Sequence, residues 1–278
     1  MTILTQPSRT LALATAGTEN NPLILWDNKA TVSNITSITG VATDGAAGNA
    51  VTGTTFDFAL PLVSVFDSAS LNVSSITESL NAAAIAAHNL GSLGAEVSIE
   101  YSDDGGTTWL DCGAGSVSPT DDQAIMWNFA DRVAADWRII ARNITSGQPA
   151  IGVFVLTKAL VASEGIYQGY TPPITPTNVT LQSNVSEGNH LLGNSFTRQG
   201  SSVSVKLDYL DDALVRSAAW KGFQEHFNKG KGIFWAWRPA KYGDVFYGWR
   251  TGNTIMPTNS GPKALMSAGF DLRLYHDE

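Results

Sequence analysis

Short stretches of alternating apolar and polar residues run through the first 165 residues of the chain. In residues 95–101, Val, Ile and Tyr side chains fall on one face and Glu and Ser side chains on the other, which is the period-two pattern of a half-exposed strand. Residues 136–143 and 150–156 predict two more strands around a turn at 145–147, and the continuous apolar run of the second strand predicts burial on both faces. This spacing of strands and turns predicts a β-sandwich.

The pattern changes after residue 200, where an alternating stretch at 201–207 gives way to apolar residues every fourth position. The residues at this spacing are Val215, Ala219, Phe223 and Phe227. Acidic residues before them and a Lys-Gly pair after them suit the two ends of a helix, so the sequence predicts one amphipathic helix near residues 211–228. Aromatic strands at 232–238 and 245–249 and a closing strand at 269–275 complete a β-rich domain with one helix.

Proline and charge divide the chain into two parts. Three prolines between residues 170 and 176 predict a stiff linker. Residues 1–170 contain six Lys and Arg against sixteen Asp and Glu, net −10, whereas residues 171–278 contain eleven against nine, net +2. We therefore predict a mainly β protein: an N-terminal arm at 1–20, a jelly-roll β-sandwich at 21–165, a Pro-rich linker at 166–177 and a C-terminal β domain with one amphipathic helix at 178–278.

Composition excludes several classes of protein. The net charge of −8 argues against a protein that grips nucleic acid through phosphates, and no apolar stretch approaches the roughly 20 residues of a membrane anchor. The single Cys112 forms neither an intramolecular disulfide nor a structural zinc site by itself. The histidines have no metal-binding spacing, and no nucleotide-binding loop or acyl-transfer motif occurs. We expect no cofactor, no metal and no catalytic residue.

Residues 102–109 match the pattern S-x-D-x-G-x-T-W, which resembles the Asp-box hairpin of sialidase propellers. Asp104 can accept hydrogen bonds from turn amides, Gly106 permits a positive φ, and the Trp109 indole can cap the hairpin. A propeller needs several copies of the motif, and this chain has one. The motif therefore predicts a structural turn.

A run of aromatic residues with two arginines follows the predicted helix. Its members include Trp235, Trp237, Arg238, Phe246, Tyr247, Trp249 and Arg250. Flat rings can stack on sugars, but aromatic residues and arginine are also enriched at buried contacts between subunits. These aromatic side chains are too many for the core of so small a domain, so we predict that some of them reach a neighbouring subunit.

Two sets of segments resemble parts of tailed-bacteriophage virion proteins. Residues 81–101, with 137–140 and 151–154, resemble a galactose-binding-like jelly roll of such proteins. Residues 220–239 and 266–272 are similar to the carboxy-terminal parts of small phage tail-tip proteins. The resemblance implies a structural component of a phage tail tip or baseplate, distal-tail-like or associated with the hub. Such a protein is made in the cytoplasm of the bacterial host and is located in the virion tail.

The resemblance also implies partners. We expect a closed homo-oligomer, a trimer or hexamer, formed chiefly through residues 171–278, together with contacts to other tail proteins and a possible contact with a host surface glycan. The alternative is a carbohydrate-binding receptor-recognition module. A glycan hydrolase is a further alternative, but no specific pair of carboxylates supports it, and we expect the chain not to be an enzyme.

Overall fold

The computed structural model describes residues 21–65, 67–166, 169–173, 178–239, 241–260 and 264–276. In chain order, the strands of the first half are β1 (Leu23–Leu25), β2 (Ile35–Thr36), β3 (Ala69–Val73), β4 (Ser79–His88), β5 (Glu96–Ser102), β6 (Leu110–Asp111), β7 (Ile125–Val133), β8 (Asp136–Arg142), β9 (Ile151–Thr157) and β10 (Leu160–Val161). The second half contains β11 (Asn178–Val185), β12 (Leu191–Asp211), α1 (Asp212–Arg216), α2 (Ala218–Asn228), β13 (Ile233–Ala236), β14 (Phe246–Arg250), β15 (Thr258–Asn259) and β16 (Leu265–Leu274).

Two antiparallel sheets form a sandwich in the first half. The five-stranded sheet has the order β2-β3-β8-β5-β6, and the three-stranded sheet has the order β7-β4-β9. Their facing side chains form one core, which includes the fully buried rings of Trp127, Trp137 and Phe154. The prediction of a mainly β fold with a jelly-roll-like sandwich is confirmed.

A third sheet covers the other face of the three-stranded sheet. It contains eight strands in the order β10-β1-β13-β14-β16-β12-β11, with β15 paired to β16. Strand β4 faces both neighbours: Ala83 and Ile85 point into the sandwich core, whereas Ala82, Ala84 and Ala86 pack against the large sheet. Small side chains on that face let the two sheets approach closely, which explains the alanine-rich run. Strand β9 is likewise buried along its whole length, as predicted.

The large sheet takes strands from both parts of the chain. Strand β1 pairs with β13 on one side and with β10 on the other, although both β1 and β10 fall within the range 21–165 expected for the sandwich. Its three residues are fully buried, with Leu23 and Leu25 facing β4 and Ile24 facing the helices. The two parts are thus joined through a shared sheet. The expected arm at 1–20, and residues 167–168 and 174–177 of the expected linker, lie outside the described residues.

The predicted single helix is interrupted at Ser217, whose backbone is extended at φ −63° and ψ 155°. The Ser217 side chain accepts a hydrogen bond from the Trp220 amide at 3.1 Å and so starts α2 as an N-cap. The break shifts the buried face, which in α2 consists of Trp220, Phe223 and Phe227. Ala219 is exposed, so its predicted place in the core is wrong. None of the helices in the described ranges has the length and apolar character needed to span a bilayer.

Strand β12 is much longer than the sheet that holds it. Residues 201–211 pair with β16, whereas residues 191–200 pair with β11. Strand β11 and the first half of β12 therefore continue as a two-stranded ribbon beyond the body of the large sheet. Val185 and Leu192, near the ribbon's tip, are 50% and 69% exposed.

Candidate ligand-binding cleft

The turn predicted from the Asp-box pattern is built from side-chain hydrogen bonds to the backbone. Oδ1 of Asp104 accepts from the amides of Thr107 and Thr108 at 3.1 and 2.8 Å and from the Ser102 hydroxyl at 2.7 Å. These bonds, led by that from Thr108, lower the pKa of Asp104 to about 2. Gly106, with φ +84°, donates its amide to the Ser102 hydroxyl at 2.9 Å. The turn is closed by its own residues.

Trp109 lies at the end of this turn on the outer face of the five-stranded sheet. The Arg138 guanidinium stands 4.4 Å from the centre of its indole. On the turn side, a Cβ placed on Gly106 would be 3.5 Å from the ring, so the indole also touches the turn itself. These contacts anchor Trp109 to its own turn and to Arg138, as expected for a structural turn.

A buried network of charged residues lies next to Trp109 on the same outer face of the five-stranded sheet. Glu100 is 8% exposed and accepts hydrogen bonds from Arg138 at 2.6 and 2.8 Å and from Arg142. Burial raises the pKa of the Glu100 carboxyl, but the hydrogen bonds from Arg142 and Arg138 outweigh it and lower the pKa overall. Arg142 also donates to the Ser98 hydroxyl at 2.7 Å. Both arginines therefore have Glu100 as their hydrogen-bond partner within the sheet.

The aromatic run falls mostly inside the molecule. Trp235 and Phe246 lie in the core beneath α2, and Tyr247 lies in the core that faces β4. All three are at most 2% exposed, so their predicted role at a subunit interface is wrong. Strands β13 and β14 are covered on both faces, so their side chains alternate between two cores. The prediction from the sequence assumes a single core for this domain.

The remaining members of the aromatic run are half-buried. They are Trp237, Arg238, Trp249 and Arg250. The Trp237 indole donates to the Asp244 carboxylate at 2.9 Å and stacks on the Tyr242 ring with centroids 5.1 Å apart. A contact of these four residues with a neighbouring copy stays a prediction.

A cleft of about 580 Å³ opens where the sandwich meets the second half. Five separate segments line it: residues 26–32 after β1, the loop at 51–53, β9 at 153–155, the end of α2 with its following turn at 226–232, and Tyr247 of β14. The volume lies within the range of about 300–1,000 Å³ that small-ligand sites occupy. Junctions between structural units are also common positions for such sites.

Trp26 forms one wall of the cleft by lying against α2. A side chain on Gly222 would overlap its ring, so the indole approaches the helix backbone as closely as glycine permits. The ring meets His226 edge to face, with centroids 5.7 Å apart and planes at 65°. Trp26 itself is half-buried, which leaves part of its ring open to the cleft.

The polar groups of the cleft carry both signs of charge. The Asp27 carboxylate pairs with Lys29 at 3.0 Å, and Lys29 also reaches Glu78 at 3.3 Å. Nε2 of His226 lies 2.9 Å from the Gly232 carbonyl oxygen, and burial lowers the pKa of this ring. Lys231 is exposed at the mouth and forms no ion pair within the described parts of the chain.

Tyr247 joins the two sides of the cleft at its base. Its hydroxyl donates to the Gly53 carbonyl at 2.6 Å. A side chain on Gly232 would overlap the same hydroxyl, so the turn after α2 also closes on it. Burial raises the pKa of Tyr247 well above its usual range. The base of the cleft is therefore fixed by contacts between residues that are distant in the sequence.

Sequence reasoning missed this site. Trp26 and Asp27 stand about two hundred positions from His226 and Lys231, and no local motif connects the two pairs. The Lys-Gly pair at the start of the turn after α2 indicates only the end of a helix. Within the described residues, no cluster of three or more His, Cys, Asp or Glu side chains is placed to hold a metal ion.

No protein-family model matches the chain, and no curated protein sequence matches it. Among solved structures, a GH29 fucosidase of Ruminococcus gnavus is similar over 48% of this chain and 27% of its own, with 13% identity and a TM-score of 0.40. A CBM32 module of Clostridium perfringens in complex with GalNAc-β-1,3-galactose is similar over 45% of this chain and 96% of its own, with 13% identity and a TM-score of 0.37.

Chitosan-binding module 1 from the chitosanase/glucanase of Paenibacillus sp. IK-5 is similar over 47% of this chain and 98% of its own, with 15% identity and a TM-score of 0.38. The last two structures are carbohydrate-binding modules, and nothing in these likenesses points to a phage tail-tip protein. At such TM-scores the likenesses carry no argument about the site of this chain.

Proposed function

We propose that this chain is a non-catalytic carbohydrate-binding protein that holds a short glycan in the cleft between its two halves. The observation that carries the proposal is the half-exposed indole of Trp26 beside polar groups of both signs in a preformed cavity. Apolar clefts with a few convergent polar groups are the usual form of small-ligand sites.

The chemistry of the cleft suits a neutral sugar. The C–H face of a sugar ring can pack on an aromatic face, while its hydroxyls both donate and accept hydrogen bonds. Trp26 offers the aromatic face, Asp27 and His226 offer acceptors, and Lys231 and the Thr31 hydroxyl offer donors. The charges of Asp27 and Lys231, which line the cleft, balance, and this favours an uncharged ligand over an ionic one.

The same residues favour binding without catalysis. Among the described residues that line the cleft, Asp27 is the only carboxylate, and it is paired with Lys29 at 3.0 Å. Glycoside hydrolysis generally needs two carboxyl groups about 5–9.5 Å apart across the scissile bond. A site with one paired carboxylate supports recognition rather than hydrolysis.

A glycan array followed by calorimetry on the full chain tests the proposal. We expect saturable binding of a neutral oligosaccharide that falls at least tenfold in Trp26→Ala and severalfold in Lys231→Ala. Lys229→Ala is the matched control, because Lys229 lies in the same turn, pairs with Glu225 and does not line the cleft. An array without binding, or Trp26 and Lys231 variants that bind as the wild type does, would contradict the proposal.

A second candidate function is a subunit of a phage tail tip or baseplate in the virion tail, as the sequence resemblance implies. The observation that favours it is the ribbon of β11 and the first half of β12. Two-stranded hairpins are only marginally stable alone in water. Pairing with another copy or another tail protein would therefore stabilise this ribbon. The near-neutral charge of residues 171–278 would tolerate close packing of copies.

Mass measurement of the purified chain tests this second candidate. We expect a closed trimer or hexamer whose assembly is lost when the exposed tip carries charge, as in the double variant Val185→Glu and Leu192→Glu. A wild-type chain that stays monomeric at high concentration would contradict assembly through the ribbon.

A further inference from the structure

We infer that His226 is the specificity-determining residue of the cleft: its neutral ring accepts a hydrogen bond from a sugar hydroxyl through Nδ1. The inference rests on the proposed glycan-binding function. It specifies that Nδ1 is the acceptor and that the ligand must carry a free hydroxyl as the donor.

The contact with Gly232 fixes which nitrogen carries the proton. Nε2 lies 2.9 Å from the Gly232 carbonyl oxygen, and a carbonyl oxygen can only accept. The proton of the neutral ring therefore sits on Nε2, and Nδ1 presents a lone pair. No described residue hydrogen-bonds to Nδ1, and this atom is not among the enclosed polar atoms without a partner, so it remains open to solvent.

The position of the ring is set by its neighbours on two sides. His226 lies in the last turn of α2 and meets Trp26 edge to face at 5.7 Å. Gly222, one turn earlier, keeps Trp26 against the helix because any side chain there would overlap the indole. A sugar ring that packs on the open part of Trp26 consequently brings its hydroxyls next to Nδ1.

Burial, more than the charged groups around it, keeps the His226 ring neutral. Burial and the Lys231 ammonium lower the pKa of the ring, whereas the hydrogen bond to the Gly232 carbonyl and the Asp27 carboxylate raise it, and the net shift is downward. Lys29 pairs with Asp27, and Lys229 pairs with Glu225 on the same helix. The lone pair on Nδ1 is thus available at neutral pH.

Two neighbouring acceptors define the class of ligand. The Nδ1 lone pair and the Asp27 carboxylate both lie at this cleft, and each can accept a further hydrogen bond, the carboxylate in addition to its ion pair with Lys29. A hexose with two adjacent free hydroxyls supplies both donors, whereas a deoxy or O-methyl analogue lacks one. We expect neutral hexosides with a free vicinal diol to bind and their singly blocked analogues to bind at least fivefold more weakly.

Acid should weaken binding through this residue. Protonation of Nδ1 replaces the lone pair with an N–H, so the ring can no longer accept from the sugar. Because the pKa of His226 is shifted below its ordinary value near 6.5, affinity should be constant above neutrality and fall as the pH drops below that ordinary value.

Calorimetry with the full chain tests the inference, using the methyl glycosides of galactose, glucose and mannose at pH 7.5 and pH 5.0. Wild-type affinity should be lower at pH 5.0 than at pH 7.5. His226→Phe keeps a ring against Trp26 but lacks the acceptor, and should lose about tenfold at pH 7.5. His226→Asn can place an oxygen acceptor near the position of Nδ1, and should recover part of the affinity with no dependence on pH.

Melting curves of each variant at both pH values establish that the compared proteins are folded. Wild-type binding that does not change with pH, or a His226→Phe variant that binds as tightly as the wild type, would overturn the inference and leave the proposed function standing. Failure of the wild type to bind any of the three glycosides or any array glycan at pH 7.5 would overturn the proposed function and the inference together.

Discussion

Two half-buried indoles, Trp109 and Trp26, are held in place by different kinds of contact. Trp109 depends on its own turn, which a short sequence motif predicts, and on Arg138 of β8 in the same sheet. Trp26 depends on Gly222 and His226, which lie about two hundred residues away. Trp109 thus belongs to a local element of the fold, whereas the site around Trp26 forms only when both halves have packed together.

The largest expected effect comes from filling the space that Trp26 uses. Gly222→Val should displace the indole, cost about 1–3 kcal/mol through overpacking and abolish glycan binding. Thermal unfolding and calorimetry measure the two effects. Ala219→Val is the matched control, since Ala219 is exposed on the same helix and should cost only about 0.5 kcal/mol through helix propensity. Similar losses in both variants would mean that Trp26 is not anchored at Gly222.

A smaller effect is expected when the local indole is removed. Trp109→Ala should cost roughly 2 kcal/mol, about half the value for a fully buried tryptophan, because its ring is only half-buried. Glycan affinity should stay within twofold of the wild type, since the ring lies on the opposite face of the sandwich from the large sheet. Unchanged melting together with lost glycan binding would instead identify Trp109 as a ligand platform.

The smallest effect concerns the carboxylate that closes the turn. Asp104→Ala should lower the melting temperature less than Trp109→Ala does, because Asp104 is exposed and several weak bonds are removed together. The pKa of Asp104 is depressed to about 2 in the folded chain, so its contribution is present above the unfolded value and is lost as pH falls from about 4 toward 2. Melting of both proteins across this range should converge at the acidic end. A difference that persists unchanged at pH 2 would contradict this origin.

The sequence predicts the sandwich well because its strands follow local patterns. Alternation over residues 95–101 and the apolar run at 150–156 each correspond to a strand of the structure. The helix was predicted in the right place, but Ser217 was not recognised as an N-cap, so Ala219 was assigned to the core instead of Trp220.

The second half is harder to predict because segments distant in the sequence cover its strands. Strand β1, near the start of the described chain, pairs with β13 in the large sheet. The alanines of β4 pack against the face of β13 and β14 that points toward the sandwich. Two cores therefore absorb Trp235, Phe246 and Tyr247, which the sequence argument assigned to a subunit contact. The cleft arises from this same joining of halves, and no pattern within a single segment could indicate it.

Hydrogen exchange of the full chain, with and without a saturating glycan identified by the array, shows directly whether a glycan binds in the cleft. We expect slower exchange in three separated segments at once, residues 26–32, 51–53 and 226–232, with no change in the turn at 102–109. Protection confined to residues 102–109 and the neighbouring strand β8, with the three cleft segments unchanged, would contradict it.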